Sequence, residues 1–120
     1  MPIMSARGHQ TLTTTPTHVL EEITARIVAE MSPERVVLFG SQAWGEAEEE
    51  SDVDLLVVME TSDALAAEVR IGRACRPPKL PMDVLVRTPA EVAERLRIGD
   101  AFMRRIVEHG RVLYERSDRS

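Results

Sequence analysis

Apolar residues recur along this chain with two different periods, and each change of period marks an element. Val19, Ile23, Ile27 and Met31 repeat every four residues with Leu20 and Val28 beside them, while Glu21, Glu22, Arg26 and Glu30 fall elsewhere. That spacing predicts an amphipathic helix that ends before Ser32-Pro33, with Pro16 at its first position and Thr15 as its cap. Arg35–Phe39 is short and apolar and is stopped by Gly40, which reads as a buried strand. Gly40 to Gly45 then reads as a tight turn with one helical turn, followed by the acidic, water-facing stretch Glu46–Ser51. Val53–Met59 is a second strand. Ser62 or Thr61 is expected to cap a helix running to about Cys75, with Leu65, Val69 and Ile71 as its inner face.

Past that helix, Arg76-Pro77-Pro78-Lys79-Leu80-Pro81 cannot be helical inside and reads as a stiff connector. Met82–Arg87 is a third strand. Thr88-Pro89-Ala90-Glu91 joins a capping box to a proline at the first helical position, a strong start signal. Helical spacing continues through Val92 and Leu96, breaks at Gly99, and resumes through Phe102, Ile106 and Val107 to Gly110. Arg111–Tyr114 reads as a short last strand, with Tyr114 packing on the C-terminal helix. This order implies an α/β (α+β) fold, a small mixed sheet packed with helices. Residues 1–16 lack periodicity and are expected to form a flexible tail, followed by one domain over 17–116 and a polar end at 117–120.

Composition narrows the function. The chain has 120 residues and a net charge of −5, which suits one domain and disfavours a basic nucleic-acid-binding face. With 3% aromatics, the core must be built mainly from Val, Leu, Ile, Ala and Met. Cys75 is the only cysteine, so an internal disulfide and a Cys-based zinc cluster are excluded. The longest apolar runs, Val36–Phe39 and Leu55–Met59, are too short to span a bilayer. A lone Arg7 and the lack of an apolar segment before Pro16 argue against a secretory signal, so a cytoplasmic location is expected. His9, His18 and His109 have no spacing that suggests a metal site, and Arg104 and Arg105 read as a solvated helix face.

Chemistry concentrates in Gly40-Ser41-Gln42-Ala43-Trp44-Gly45 and Ser51-Asp52-Val53-Asp54-Leu55. Alternation along a strand puts Asp52 and Asp54 on one face, Cα atoms roughly 6.5–7 Å apart. Two anions that close repel unless a cation sits between them, and hard oxygen ligands suit Mg²⁺ when phosphates complete its shell. Gly40 lets backbone N–H groups approach phosphate oxygens at a helix start, and Ser41 adds a hydroxyl. Asp83 opens the third strand. If that strand lies beside Val53–Met59, three carboxylates converge, and such a set suits phosphoryl or nucleotidyl transfer. The acidic stretch Glu46–Glu50 reads as a solvated loop instead.

Gly-Ser, ten residues, Asp-x-Asp and a later strand Asp resemble the minimal nucleotidyltransferases of the DNA polymerase beta superfamily. The likeness runs from about Val36 to Tyr114, including the Arg-Thr-Pro helix start and the Gly-x-Val-Leu-Tyr ending. It is similar in particular to the MntA-type antitoxins that pair with HEPN-domain toxins. The resemblance implies that Gly40, Ser41, Gln42 and Trp44 line the triphosphate site. It also implies that Asp52, Asp54 and Asp83 are catalytic and bind Mg²⁺, two ions in all, with ATP as substrate. Asp83 would help deprotonate the acceptor hydroxyl. Family members often carry Arg at one or both of the positions held here by Gln42 and Trp44, which implies weaker phosphate binding, and Trp44 would instead stack on a base or a partner. The implied activity is transfer of AMP to a hydroxyl, a tyrosine of a HEPN toxin, by an antitoxin that has no nucleic-acid or membrane partner. The other readings are an antitoxin acting by binding alone, and an aminoglycoside-type transferase that needs a second copy of the chain to complete its site.

Overall fold

Strand alternation sorts the apolar side chains of the sheet into two sets, and each set recruits its own pair of helices. The computed structural model describes residues 15–45 and 52–117. In chain order these form α1 (Thr17–Met31), β1 (Arg35–Phe39), α2 (Ser41–Trp44), β2 (Val53–Val58) and α3 (Ala64–Cys75). They continue with β3 (Met82–Arg87), α4 (Pro89–Arg97), α5 (Ala101–His109) and β4 (Arg111–Glu115). The sheet order is β3-β2-β1-β4, antiparallel at β2-β1 and β1-β4 and parallel at β2-β3. A mixed α/β architecture is therefore what the chain adopts. Residues 1–14 of the tail expected over 1–16, the acidic stretch 46–51, and residues 118–120 of the end expected over 117–120 lie outside the described residues.

One face of the sheet carries Val36, Leu38, Val53, Leu55, Val57 and Val86, packed under Leu20, Ile23 and Ile27 of α1 and Ala67, Ile71 and Cys75 of α3. The other carries Val37, Leu56 and Val58, under Met103 and Ile106 of α5, with Val92 and Leu96 of α4 at its margin. Each fully buried Leu or Ile contributes about 1.5–3 kcal/mol, so both layers are needed in a core this small. The buried hydroxyl of Thr24 is satisfied by donating to the Leu20 carbonyl at 2.7 Å. The capping box forms as expected. The Thr88 hydroxyl accepts from Glu91 N–H at 3.1 Å, and the Glu91 carboxylate accepts from Thr88 N–H at 2.9 Å. Among the described residues no helix is long and apolar enough to cross a membrane.

Four local expectations are corrected. Pro16, extended with ψ 148°, is the cap of α1 rather than its first helical residue, and no side chain caps that end because proline has no side-chain acceptor. Asp63 caps α3 by accepting from Ala66 N–H at 3.0 Å, while the Thr61 hydroxyl accepts from Asp63 N–H at 3.1 Å. Leu65 is 69% exposed and Val69 48%; the inner face is instead Ala67, Ile71 and Cys75. Small Ala67 lets α3 approach the sheet closely, which turns the larger side chains outward. Tyr114 packs with the α1 layer rather than the C-terminal helix, because β4 joins the free edge of β1 beside α1.

The corrected face of α3 predicts a contrast in denaturant unfolding. Ile71→Ala is expected to lower stability by about 3 kcal/mol, and Leu65→Ala by under about 0.5 kcal/mol. Equal losses would restore Leu65 to the core.

Candidate nucleotidyl-transfer site

Asp52 and Asp54 belong to the same alternation series as Leu56 and Val58, so they point to the α4/α5 face, at the N-terminal end of β2. Parallel pairing sets Asp83 directly beside Asp54, and Val53 opposite Met82. The three carboxylates each present an oxygen within 4.8 Å of the others. Convergence of the three acids therefore follows from register, as the sequence required if β3 lay next to β2. Asp52 and Asp54 are half-buried and Asp83 is exposed.

Crowding has an electrostatic consequence. Burial, then the charges of Asp83 and Asp52, push the Asp54 carboxyl from its usual 3.8 up to about 6. Asp83 is also raised, by partial desolvation, by the Asp52 charge and by a hydrogen bond with Asp52. An all-oxygen donor set whose members resist ionisation together is one that a divalent cation relieves. Ligand oxygens of one octahedral Mg²⁺ stand about 3 Å apart when adjacent and about 4.2 Å when opposite, so oxygens already within 4.8 Å of one another come within reach of a shared ion by side-chain rotation. The residues present fit the metal that the resemblance implies.

The turn after β1 completes the site. Phe39 pairs across the ladder with Asp54, so the chain leaves β1 directly beside that carboxylate. Gly40 has φ +81°, and a Cβ there would run into the Asp54 carboxylate, 3.1 Å from its Cγ. Only glycine permits both the left-handed backbone and the close approach. Ser41 then starts α2, whose single turn is closed by Ala43 and Trp44 N–H groups donating to the Gly40 carbonyl at 3.0 and 3.1 Å. Gly45, at φ +80°, ends it.

Gln42 and Trp44 lie on this turn, in settings that the sequence did not reveal. The Gln42 side-chain oxygen accepts the Thr15 backbone N–H at 3.0 Å, tying the start of the described chain to the turn. The Arg105 guanidinium lies over the Trp44 ring, 3.6 Å from its centroid, as a cation–π pair. Thus a cation stands beside position 44 although the residue itself is not basic. Arg105 is the site-proximal residue that sequence reasoning left as a solvated helix face. Its only local signal is its spacing from Phe102 on α5, whose ring packs edge-on against Phe39 at 5.7 Å.

Three acids converging beside a glycine turn form a candidate nucleotidyl-transfer site. The chain belongs to the polymerase beta nucleotidyltransferase family, whose model matches residues 21–119. It is 33% identical over 82 residues to a Methanocaldococcus jannaschii protein provisionally named a protein adenylyltransferase, covering 67% of this chain and 77% of that one. Its fold matches a provisionally assigned nucleotidyltransferase from Sulfolobus solfataricus with a TM-score of 0.60 at 17% identity, covering 98% and 93% of the two chains. A solved toxin–antitoxin complex with AMP-PNP matches with a TM-score of 0.51 at 19% identity, covering 81% and 74%.

Asp54 binds its proton more tightly folded than unfolded, so its contribution to stability is full below about pH 4 and lost as pH rises through about 6. Asp54→Asn is therefore expected to stabilise the metal-free protein at pH 7.5. Two pKa units would represent ~3 kcal/mol, but the site opens to solvent and about 1 kcal/mol is expected. Added Mg²⁺ should raise the melting temperature of the parent and not of the variant. Coincident melting curves for the two proteins from pH 4 to pH 8 would contradict this.

If the site binds ATP with Mg²⁺, Gly40→Ala is expected to weaken that binding at least about tenfold, since the methyl displaces Asp54 and a non-glycine backbone at φ +81°, ψ −165° costs about 1–3 kcal/mol. Calorimetry with ATP and Mg²⁺ measures this directly.

Proposed function

We propose that the protein transfers AMP from Mg²⁺-bound ATP to a hydroxyl of a separate protein, a tyrosine of a HEPN-domain toxin, and so acts as an antitoxin. The observation that carries this reading is the close approach of the Gly40 turn to Asp54, which would put phosphate bound at the turn against the carboxylates. Asp52, Asp54 and Asp83 would hold Mg²⁺. When bound, the metal orients the triphosphate and offsets the charge that develops on it. Gly40 and Ser41 would bind phosphate oxygens, with Gln42 and Trp44 beside them.

In the reaction the acceptor oxygen forms a bond to the α-phosphorus, and the bond from that phosphorus to the oxygen bridging to the β-phosphate breaks. Pyrophosphate leaves with the electron pair, and the hydroxyl proton would pass to Asp83, the most exposed of the three carboxylates. The Methanocaldococcus relative is provisionally named for transfer onto protein, and the structural relative with AMP-PNP is a toxin–antitoxin pair; both support a protein acceptor and an adenine nucleotide.

A second reading, neutralisation by binding alone, is favoured by one observation: position 42 holds a neutral amide, its oxygen accepting the Thr15 N–H, where a cation would face phosphate. The two separate experimentally. Incubation with ATP, Mg²⁺ and the protein encoded beside this gene should add the mass of one or more AMP groups to that neighbour. Asp52→Ala with Asp54→Ala should abolish the addition. An unmodified neighbour, together with absent Mg²⁺-dependent ATP affinity, would favour binding alone.

A further inference from the structure

β3 is an edge strand, and its backbone groups alternate between β2 and the outside. Val53 N–H donates to the Pro81 carbonyl at 2.9 Å and Met59 N–H to the Arg87 carbonyl at 3.1 Å. With the register of Val53 opposite Met82, residues 81, 83, 85 and 87 bond inward, and the N–H and C=O groups of Met82, Val84 and Val86 point away from the sheet.

Side chains cap the outward groups at both ends of this edge. Val86 N–H donates to the Glu68 carboxylate at 2.9 Å, and the Val86 carbonyl accepts from the Arg87 guanidinium at 2.7 Å. Glu68 and Arg87 also approach each other at 3.6 Å, which fixes both. Before the strand, the Leu80 carbonyl accepts from Arg76 at 3.2 Å. Between these caps, no described residue bonds to the outward groups of Met82 and Val84. An edge strand is ordinarily protected along its length, because unpaired backbone groups invite another chain. Here the protection stops on either side of Asp83.

We infer that the unprotected edge at Met82–Val84 receives the acceptor protein as an added antiparallel strand, delivering its hydroxyl to Asp83. This rests on the nucleotidyl-transfer reading of the site and names how its acceptor is held. In antiparallel pairing, Met82 and Val84 each exchange two hydrogen bonds with an acceptor residue. The acceptor residue between those two then faces Asp83 as a non-hydrogen-bonded pair, Cα atoms about 4.5 Å apart, with its side chain on the carboxylate face. Strands lie about 4.8 Å apart, so a tyrosine there, with its hydroxyl a full ring beyond Cβ, reaches over Asp83 toward Asp54. Arg76 and Lys79 are exposed just before the window, so acidic residues flanking the acceptor tyrosine complement it.

The test uses the full chain, ATP, Mg²⁺ and a library of nine-residue peptides with a central tyrosine and varied flanks, scored for AMP addition by mass spectrometry. Proline immediately before or after the tyrosine removes an N–H that must donate to Val84 or Met82. It is expected to lower modification about tenfold, whereas proline two residues away is tolerated. On the enzyme, Val84→Pro is expected to lower peptide modification about tenfold with Mg²⁺-dependent ATP binding unchanged, and Val84→Ala by less than about threefold. Indifference to proline beside the tyrosine overturns the added strand and needs no variant to fold. Equal losses in Val84→Ala and Val84→Pro overturn it too, as does failure of the parent to modify any peptide while it binds ATP and Mg²⁺. Absence of ATP binding in the parent would instead overturn the nucleotidyl-transfer reading itself.

Discussion

Placing Asp83 beside Asp54 on neighbouring strands is electrostatically unfavourable, and much of this protein is arranged around keeping them there. The parallel pairing of β2 and β3 sets their register, and the α3 crossover makes a parallel neighbour possible. Burial of Ala67, Ile71 and Cys75 holds that crossover against the sheet. The cost appears as the upward push on both carboxyls. A chain that tolerates such repulsion in a domain this small retains it for what the acids do together, since isolated like charges at this separation weaken a fold.

The same alternation serves packing and chemistry. Leu56 and Val58 continue the series that begins with Asp52 and Asp54, so the strand that anchors the second core layer also aims the acids. A one-residue slip of β2 would carry the acids to the α1/α3 face and exchange its apolar side chains between the two layers, where each meets partners shaped for another. Core and site therefore enforce one register. Gly40 adds a second constraint at the acid-bearing end of the β1-β2 ladder, where Phe39 faces Asp54 and the next residue must be one with no side chain.

Much of this was legible in the residues. The four strands, the capping box at Thr88, the turn at Gly40 and the three acids follow from local pattern, because each depends on neighbours within a few positions. Failures came where several similar residues competed, or where the partner was distant in sequence. Thr61, Ser62 and Asp63 are all cap formers, and only the path of the chain selects Asp63. Leu65 and Val69 have helical spacing as good as Ile71, but Ala67 decides which face can come close. Tyr114 depended on which edge β4 would join. The stacking of Arg105 on Trp44 links positions sixty-one residues apart, and no local pattern reports it.

One hydrogen bond carries a practical meaning. Thr15 is held by Gln42, on the turn beside the carboxylates, whereas Arg116 N–H bonds to the Glu34 carbonyl at the opposite end of β1. The two ends of the described chain thus leave the sheet at opposite poles, one next to the reactive groups and one remote from them. On the nucleotidyl-transfer reading, a chain shortened to begin at Thr15 would start beside the nucleotide, whereas one shortened to end at Arg116 would stop at the far pole. Trimming from the front therefore touches the carboxylate end of the sheet, and trimming from the back does not.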